Sequence, residues 1–257
     1  MKKYDNKVCV GIDYIKWHSY ALKQDIGIDL EQNIHTLISG MSGSGKSTSL
    51  LYYIVKLYLA FCSKSLFIFA DFKQDDQFKP LRSCKNYFAY KNCVNALDIV
   101  YEKMHLRQEG VDKSRTPIVL VFDEYVAFIL SLEKKQKEEV MSKIGEILML
   151  GRSLKVSLVL ACQRPDASVF PQGSRVNFGV IIVLGSAIKS IYDMVLPKEL
   201  TIMDTNYKFD AGEGVILLQS RDLKFIKFPI VINKERLYEI CQEALNGKCK
   251  IEAKPQS

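Results

Sequence analysis

The chain has 257 residues and a mass of 29.3 kDa, room for one large domain or two small ones at roughly 150 residues per domain. Hydrophobic residues make up 48% and charged residues 25%, close to the averages of soluble globular domains, which excludes a disordered chain, a collagen-like fibre and a disulfide mini-protein. Lys plus Arg number 36 against 29 for Asp plus Glu, and the resulting charge of +7 fits a polyanionic partner and equally an ordinary solvated surface.

At the amino terminus, Met1 to Lys7 has no apolar stretch behind its charges, which is not the pattern of a signal peptide. Apolar patches at 8–12, 20–22 and 34–38 read as short strands leading into the main domain. Leu50 to Phe61 is apolar at almost every position, as in a helix buried on most sides. Ser65 to Ala70 is a short apolar run ending at Asp71, a central strand. Lys56 and Lys64 interrupt the stretch from Ser49 to Ala70, whereas a spanning helix needs about 20 mostly apolar residues. A buried helix followed by a buried strand is expected there, with no crossing of a membrane by the chain itself.

Further on, Asn95 to Arg107 forms a helix ended by Gly110, and Pro117 to Phe122 is a second central strand ending in acid. Ser131 to Leu150 is helical, with Glu and Lys on one face and Val140, Ile144, Ile147 and Leu148 on the other. Lys155 to Ala161 and Val180 to Leu184 are the third and fourth central strands. Gly214 to Leu218 and Phe225 to Ile232 read as edge or hairpin strands, and Lys234 to Leu245 as a closing helix. Continuous apolar strands alternating with helices predict a mainly parallel sheet covered on both faces, a three-layer α/β fold. Residues 1–33 are expected to form a strand-rich lead-in packed on a main domain of residues 34–257.

Seven cysteines show no C-x-x-C spacing, and His18, His35 and His105 are scattered. Neither a zinc site nor a disulfide framework is supported, and reduced thiols in a cytosolic protein are expected.

Chemistry enters at Gly40 to Ser47, which fits the phosphate-loop pattern G-x-x-x-x-G-K-[ST]. Its glycines let successive backbone N–H groups converge on phosphates where a side chain would block approach. Gly40, Ser42, Gly43, Ser44 and Gly45 form the expected cradle for ATP. Lys46 reaches the β- and γ-phosphates, and the Ser47 hydroxyl ligates Mg²⁺. Thr48 bonds a phosphate or packs inside the helix. The strand ending in Asp123 and Glu124 supplies an acid for the metal and, beside it, a carboxylate to orient or deprotonate water. Glu directly after Asp argues for an ATPase, and the Asn-Lys-x-Asp specificity motif of GTPases is not found. Gln163, in Ala161-Cys-Gln-Arg-Pro165, is either a γ-phosphate sensor, if its strand neighbours that of Asp123, or a loop glutamine bonded to backbone.

These segments resemble the FtsK/SpoIIIE family of DNA-translocating ATPases. The resemblance rests on Gly11-Ile-Asp13 with Asp29-Leu30, His35 to Gly40 running into the phosphate loop, Phe69-Ala-Asp71-Phe-Lys73 and Phe122-Asp-Glu124. It continues through Gly151-Arg152-Ser153, Ala161 to Pro165 and Gly212-Glu-Gly214, covering roughly residues 8–220. It implies a RecA-like motor, a γ-phosphate sensor role for Gln163, ATP and Mg²⁺ as cofactors, and a ring, expected to be a hexamer, acting on double-stranded DNA. It also points to minimal motors of conjugative elements and phages in Gram-positive bacteria. Family members usually carry an arginine in the strand after Gln-Arg-Pro, and residues 177–184 have none. Arg152 is the first candidate for an arginine acting in trans, with bonding to helix C-terminal carbonyls as the competing role, and Arg175 is the second. Lys189, Lys198, Lys208 and Arg221 are candidates for a DNA channel. Two other functions share such a motor: protein translocation of the type VII secretion class, and regulation or assembly without translocation. A cytoplasmic protein is expected, with a membrane-bound partner as one means of recruitment.

Overall fold

The computed structural model describes residues 7–32, 34–61, 65–170, 174–187, 189–197 and 208–247, with the backbone alone for 167, 174 and 175. β1 (Lys7–Asp13) ends in an aspartate whose carboxylate accepts the Lys16 N–H at 2.9 Å, and this cap starts α1 (Tyr14–Tyr20). The expected strand at 20–22 is absent: Tyr20 closes α1, Ala21 takes a left-handed φ of 51° as its C-cap, and pairing resumes only in β2 (Asp25–Asp29). β3 (Thr36–Gly40) runs through the phosphate loop into α2 (Lys46–Ala60). β4 (Leu66–Asp71), the short β5 (Tyr87–Ala89), α3 (Cys93–Gln108) and β6 (Ile118–Asp123) follow.

The helix expected from Ser131 is two helices. α4 (Tyr125–Ser131) begins directly after Glu124, Leu132 is extended with ψ 148°, and α5 (Lys134–Leu154) then runs back to β7 (Val156–Cys162). β8 (Val180–Leu184), α6 (Lys189–Val195), the hairpin of β9 (Glu213–Leu218) and β10 (Asp222–Lys227), and α7 (Lys234–Asn246) complete the described elements. β10 ends sooner than the apolar run suggested, because Pro229 has no N–H to continue the ladder.

All ten strands form one sheet in the order β2-β1-β10-β9-β8-β3-β7-β6-β4-β5. From β8 to β5 every pairing is parallel, and from β8 outward to β2 every pairing is antiparallel. Side chains of the central strands alternate between two cores. Phe67, Phe69, Val119 and Val121 face α2 and α7, while Ile68, Leu120, Phe122 and Leu158 face α3, α4 and α5. Each such fully buried side chain contributes about 1.5–3 kcal/mol, which is why these strands carry unbroken apolar sequence. Among the described residues no helix is long and apolar enough to cross a membrane.

Candidate functional site

The sheet order decides the site. β7 lies between β3, which feeds the phosphate loop, and β6, which ends in Asp123. Loops following parallel strands leave from the same sheet edge, so three segments distant in sequence converge there.

The convergence is direct. Lys46 is buried, with Nζ 2.7 Å from Asp123 Oδ1 and 3.0 Å from Glu124 Oε1. Burial alone would lower the Lys46 pKa, but Asp123 and Glu124 raise it above the usual value, so the ammonium stays charged. Glu124 occupies a left-handed backbone conformation (φ 55°) between β6 and α4, of a kind that costs about 1–3 kcal/mol. Gln163, half-buried after β7, donates from Nε2 to Glu124 Oε1 at 3.3 Å, and its carbonyl accepts the Ser39 hydroxyl at 3.2 Å. The Gln163 side chain therefore meets the Glu124 carboxylate, and only its main-chain carbonyl is bonded to the phosphate-loop strand.

A cleft of about 220 Å³ opens here, lined by Met41, Ser42, Gly43, Gly45, Lys46 and Ser47 of the phosphate loop together with Glu124 and Gln163. Lys73, Asp75 and Gln77 form further wall, which motif reading assigned no role; the one sequence signal was the Phe69–Lys73 segment. Thr48 Oγ1 donates to Gln77 Oε1 at 3.4 Å.

The residues fit a nucleotide and its metal. A Cβ at Gly43 would meet nothing within 4 Å, so the loop opens there onto free space, while the buried Ser44 hydroxyl, which has no hydrogen-bond partner, packs against Gly40, where a Cβ would stand 2.4 Å from it. Ser47 and Asp123 offer the hard oxygen donors that Mg²⁺ takes. Among the described residues no cluster of three or more His, Cys, Asp or Glu could hold a metal, so phosphate oxygens would supply the remaining ligands.

Arg152 lies elsewhere. Gly151 in the last turn of α5 packs on the start of β7, where a Cβ would stand 2.3 Å from Val156 O and 2.9 Å from His35 Cε1. His35 precedes β3 and the phosphate loop follows it, so a strand of five residues, about 17 Å at 3.3 Å per residue, separates the two ends. Arg152 is exposed on a cleft of about 530 Å³ that also holds Arg221, Asn177 and Gln219. The last carbonyls of α5 are taken by other arginines: Arg107 donates to Leu154 O at 2.7 Å and Arg115 to Ser153 O at 3.1 Å. The Arg175 side chain and Lys198 lie outside the described residues, while Lys189, Lys208 and Arg221 are exposed.

No family model matches the chain. The FtsK domain-containing protein YdcQ of Bacillus subtilis (strain 168) is 28% identical over 191 residues, covering 68% of this chain and 39% of that relative. The chain therefore spans about two fifths of the curated relative it matches. Among solved structures, the cytoplasmic domain of the Thermomonospora curvata type VII secretion ATPase EccC superposes with a TM-score of 0.68 at 20% identity, over 100% of this chain and 33% of that one. The pCW3 conjugation coupling protein TcpA, in its monomer form with ATPγS, gives 0.67 at 17% identity over 94% and 71%. The likeness to the solved structures establishes the fold, that of RecA-like P-loop domains. In sequence the chain is similar to an FtsK domain-containing protein, and in fold to the type VII secretion and conjugation ATPases named above.

Proposed function

We propose that this chain is an ATP-driven motor that moves double-stranded DNA, working as a ring whose subunits share nucleotide sites. The meeting of Lys46, Glu124 and Gln163 in one cleft, with the buried Asp123 paired to Lys46, carries the hydrolysis reading. In it Lys46 binds the β- and γ-phosphates, with Ser42, Ser44, Thr48 and the loop backbone around them. Ser47 and Asp123 hold Mg²⁺, whose charge neutralises phosphate oxygens when bound. Glu124 orients the attacking water and accepts its proton. Gln163, bonded to Glu124, links that carboxylate to the γ-phosphate.

The charge of +7 and the likeness to a conjugation coupling protein support DNA as the cargo. DNA bound mainly through its phosphates is released steeply by salt. Within this reading residues 34–257 are the motor and 1–33 a lead-in, supported by the pairing of β1 with β10. A cytoplasmic site of action, with recruitment by a membrane-bound partner, belongs to the same proposal.

The likeness to EccC favours protein translocation as the second reading. ATPase rate with and without double-stranded DNA separates the two, beside a mass measurement with ATP bound. DNA stimulation in an oligomer supports the DNA motor. A rate indifferent to DNA but raised by a secretion-substrate peptide would replace it with the second reading, and a rate indifferent to both would favour a regulatory or assembly ATPase.

A further inference from the structure

The phosphate cleft holds a second lysine. β4 and β6 pair in parallel with Asp71 in register with Asp123, so the residues after each strand leave the sheet at one level. Glu124 follows one strand, and Phe72 and Lys73 follow the other. The turn after β4 is pinned on both flanks. The buried Asp71 carboxylate accepts the Gln74 N–H at 2.7 Å and the Tyr87 hydroxyl at 2.5 Å, Gln74 takes a left-handed φ of 58°, and Arg82 donates to the Gln74 carbonyl at 2.7 Å. Phe72 is held between Tyr90, at 5.5 Å, and Phe128, at 5.6 Å. With its neighbours fixed, Lys73 lines the cleft beside Lys46, Glu124 and Gln163.

Among the described residues no carboxylate pairs with Lys73, whereas Lys46 is held by two. Asp75, the acid on the same wall, accepts the Gln77 N–H of its own turn at 2.9 Å. The cleft thus carries an exposed ammonium with no carboxylate partner among the described residues, on a turn that a buried carboxylate anchors.

We propose that Lys73 is a second cation of this chain's own phosphate site, binding a non-bridging γ-phosphoryl oxygen during hydrolysis; this rests on the ATPase reading above. In the step, the oxygen of water attacks the γ-phosphorus and its proton passes to Glu124. The bond from the γ-phosphorus to the β,γ-bridging oxygen breaks, and ADP leaves with that electron pair. Lys73 forms no covalent bond; its N–H meets charge that gathers on the γ-oxygens between reactant and product, where a preplaced donor acts most strongly. Asp71 is then a positioning residue that sets the turn.

The test uses the full chain and the variants Lys73→Ala and Lys73→Arg. It reads kcat, KM, and affinity for ADP alone and for ADP with Mg²⁺ and aluminium fluoride, which mimics the transferring phosphoryl group. Lys73→Ala should lower kcat and affinity for the mimic together, by about 10²–10³-fold, and leave ADP affinity within about twofold. Lys73→Arg, which keeps the charge, should recover part of the loss. Lys73 is exposed, so melting temperatures should match the wild type. Unchanged kcat in Lys73→Ala would overturn the proposal. So would a loss confined to the DNA-stimulated rate with mimic binding intact, which would assign Lys73 to a DNA phosphate. A wild type that binds nucleotide yet never hydrolyses it would overturn the ATPase reading itself, a distinguishable failure.

Discussion

Gly45 packs backbone to backbone on Gly212: a Cβ at Gly45 would stand 2.7 Å from the Gly212 nitrogen, whose N–H donates to Ser44 O at 2.8 Å. The phosphate loop is therefore braced by the turn that enters β9. That turn is held by the buried Glu213 carboxylate, which accepts the Asp210 N–H at 3.0 Å, meets His18 Nε2 at 3.1 Å and pairs with Lys227. Gly45 also has φ 81°, where an L-residue costs about 1–2 kcal/mol. Gly45→Ala should thus weaken binding of a fluorescent ATP analogue by at least about tenfold, equivalent to 1.4 kcal/mol, with the fold intact by circular dichroism. Binding within about twofold of wild type would mean that the brace does not shape the loop.

Lys46 and Glu124, 3.0 Å apart, should separate binding from turnover. Lys46 contacts ground-state phosphates in the proposed mechanism, so Lys46→Ala should weaken ATP binding itself. Glu124 acts in that mechanism on the attacking water and not on ground-state phosphates, so Glu124→Gln should bind ATP about normally and lose about 10²–10⁴ in rate. Equilibrium binding and steady-state hydrolysis on the same preparations check both. Turnover of Glu124→Gln within a few-fold of wild type would remove Glu124 from the role of base.

Gln163 is tied to Glu124 through one side-chain hydrogen bond of 3.3 Å, a geometry suited to coupling the proposed base to the γ-phosphate. Gln163→Ala is expected to bind ATP about normally, hydrolyse it slowly and lose any DNA stimulation. Full stimulated turnover in that variant would reduce Gln163 to its backbone bond with Ser39.

How much of this could be read from sequence follows burial. β4, β6, β7 and β8 are covered on both faces, so they carry unbroken apolar runs that announce themselves. Elements with little buried surface gave no such signal. α1 has no buried residue and depends on the Asp13 cap, β5 has three residues, and α6 has seven. The phosphate loop and Asp123–Glu124 are local patterns and legible as such. That Gln163 meets Glu124 depends on β7 lying between β3 and β6, a matter of strand order. The wall formed by Lys73, Asp75 and Gln77, and the brace of Gly212, are contacts between segments far apart in the chain, which no local pattern encodes. For the same reason the capping of α5 by Arg107 and Arg115 appears only in three dimensions.

Acid should weaken the fold through His35. Its Nδ1 accepts the Leu158 N–H at 3.1 Å, Nε2 has no partner, and burial holds its pKa down at about 3 against 6.5 for an ordinary histidine. The folded-state pKa is depressed, so below pH 6.5 the unfolded chain takes the proton first, and stability falls towards pH 3 by about 1.4 kcal/mol per pH unit. Urea unfolding at pH 7 and pH 5 should show wild type losing about 2 kcal/mol more between the two than His35→Gln, whose amide oxygen can still accept the Leu158 N–H. Equal losses would place the acid sensitivity in other groups.

The last prediction concerns how subunits complete one another. Transition-state charge calls for cations beyond Lys46 and Mg²⁺, and loss of an arginine finger costs about 10³–10⁵ in rate. Arg152 cannot serve its own phosphate loop, since β3 separates them by about 17 Å. It is exposed, and Arg107 and Arg115 already take the α5 carbonyls that would otherwise compete for it. Its planar, permanently charged fork suits the oxygens of a neighbour's phosphoryl group. Lys46→Ala and Arg152→Ala proteins, each inactive alone, should therefore regain part of the ATPase activity when mixed. Recovery arises at boundaries where an intact phosphate loop meets an intact arginine. Arg175→Ala provides the parallel experiment for the second candidate. Absence of recovery with both variants, in oligomers shown by mass to be mixed, would sink the shared-site model and leave Lys73 to supply the missing charge within each subunit.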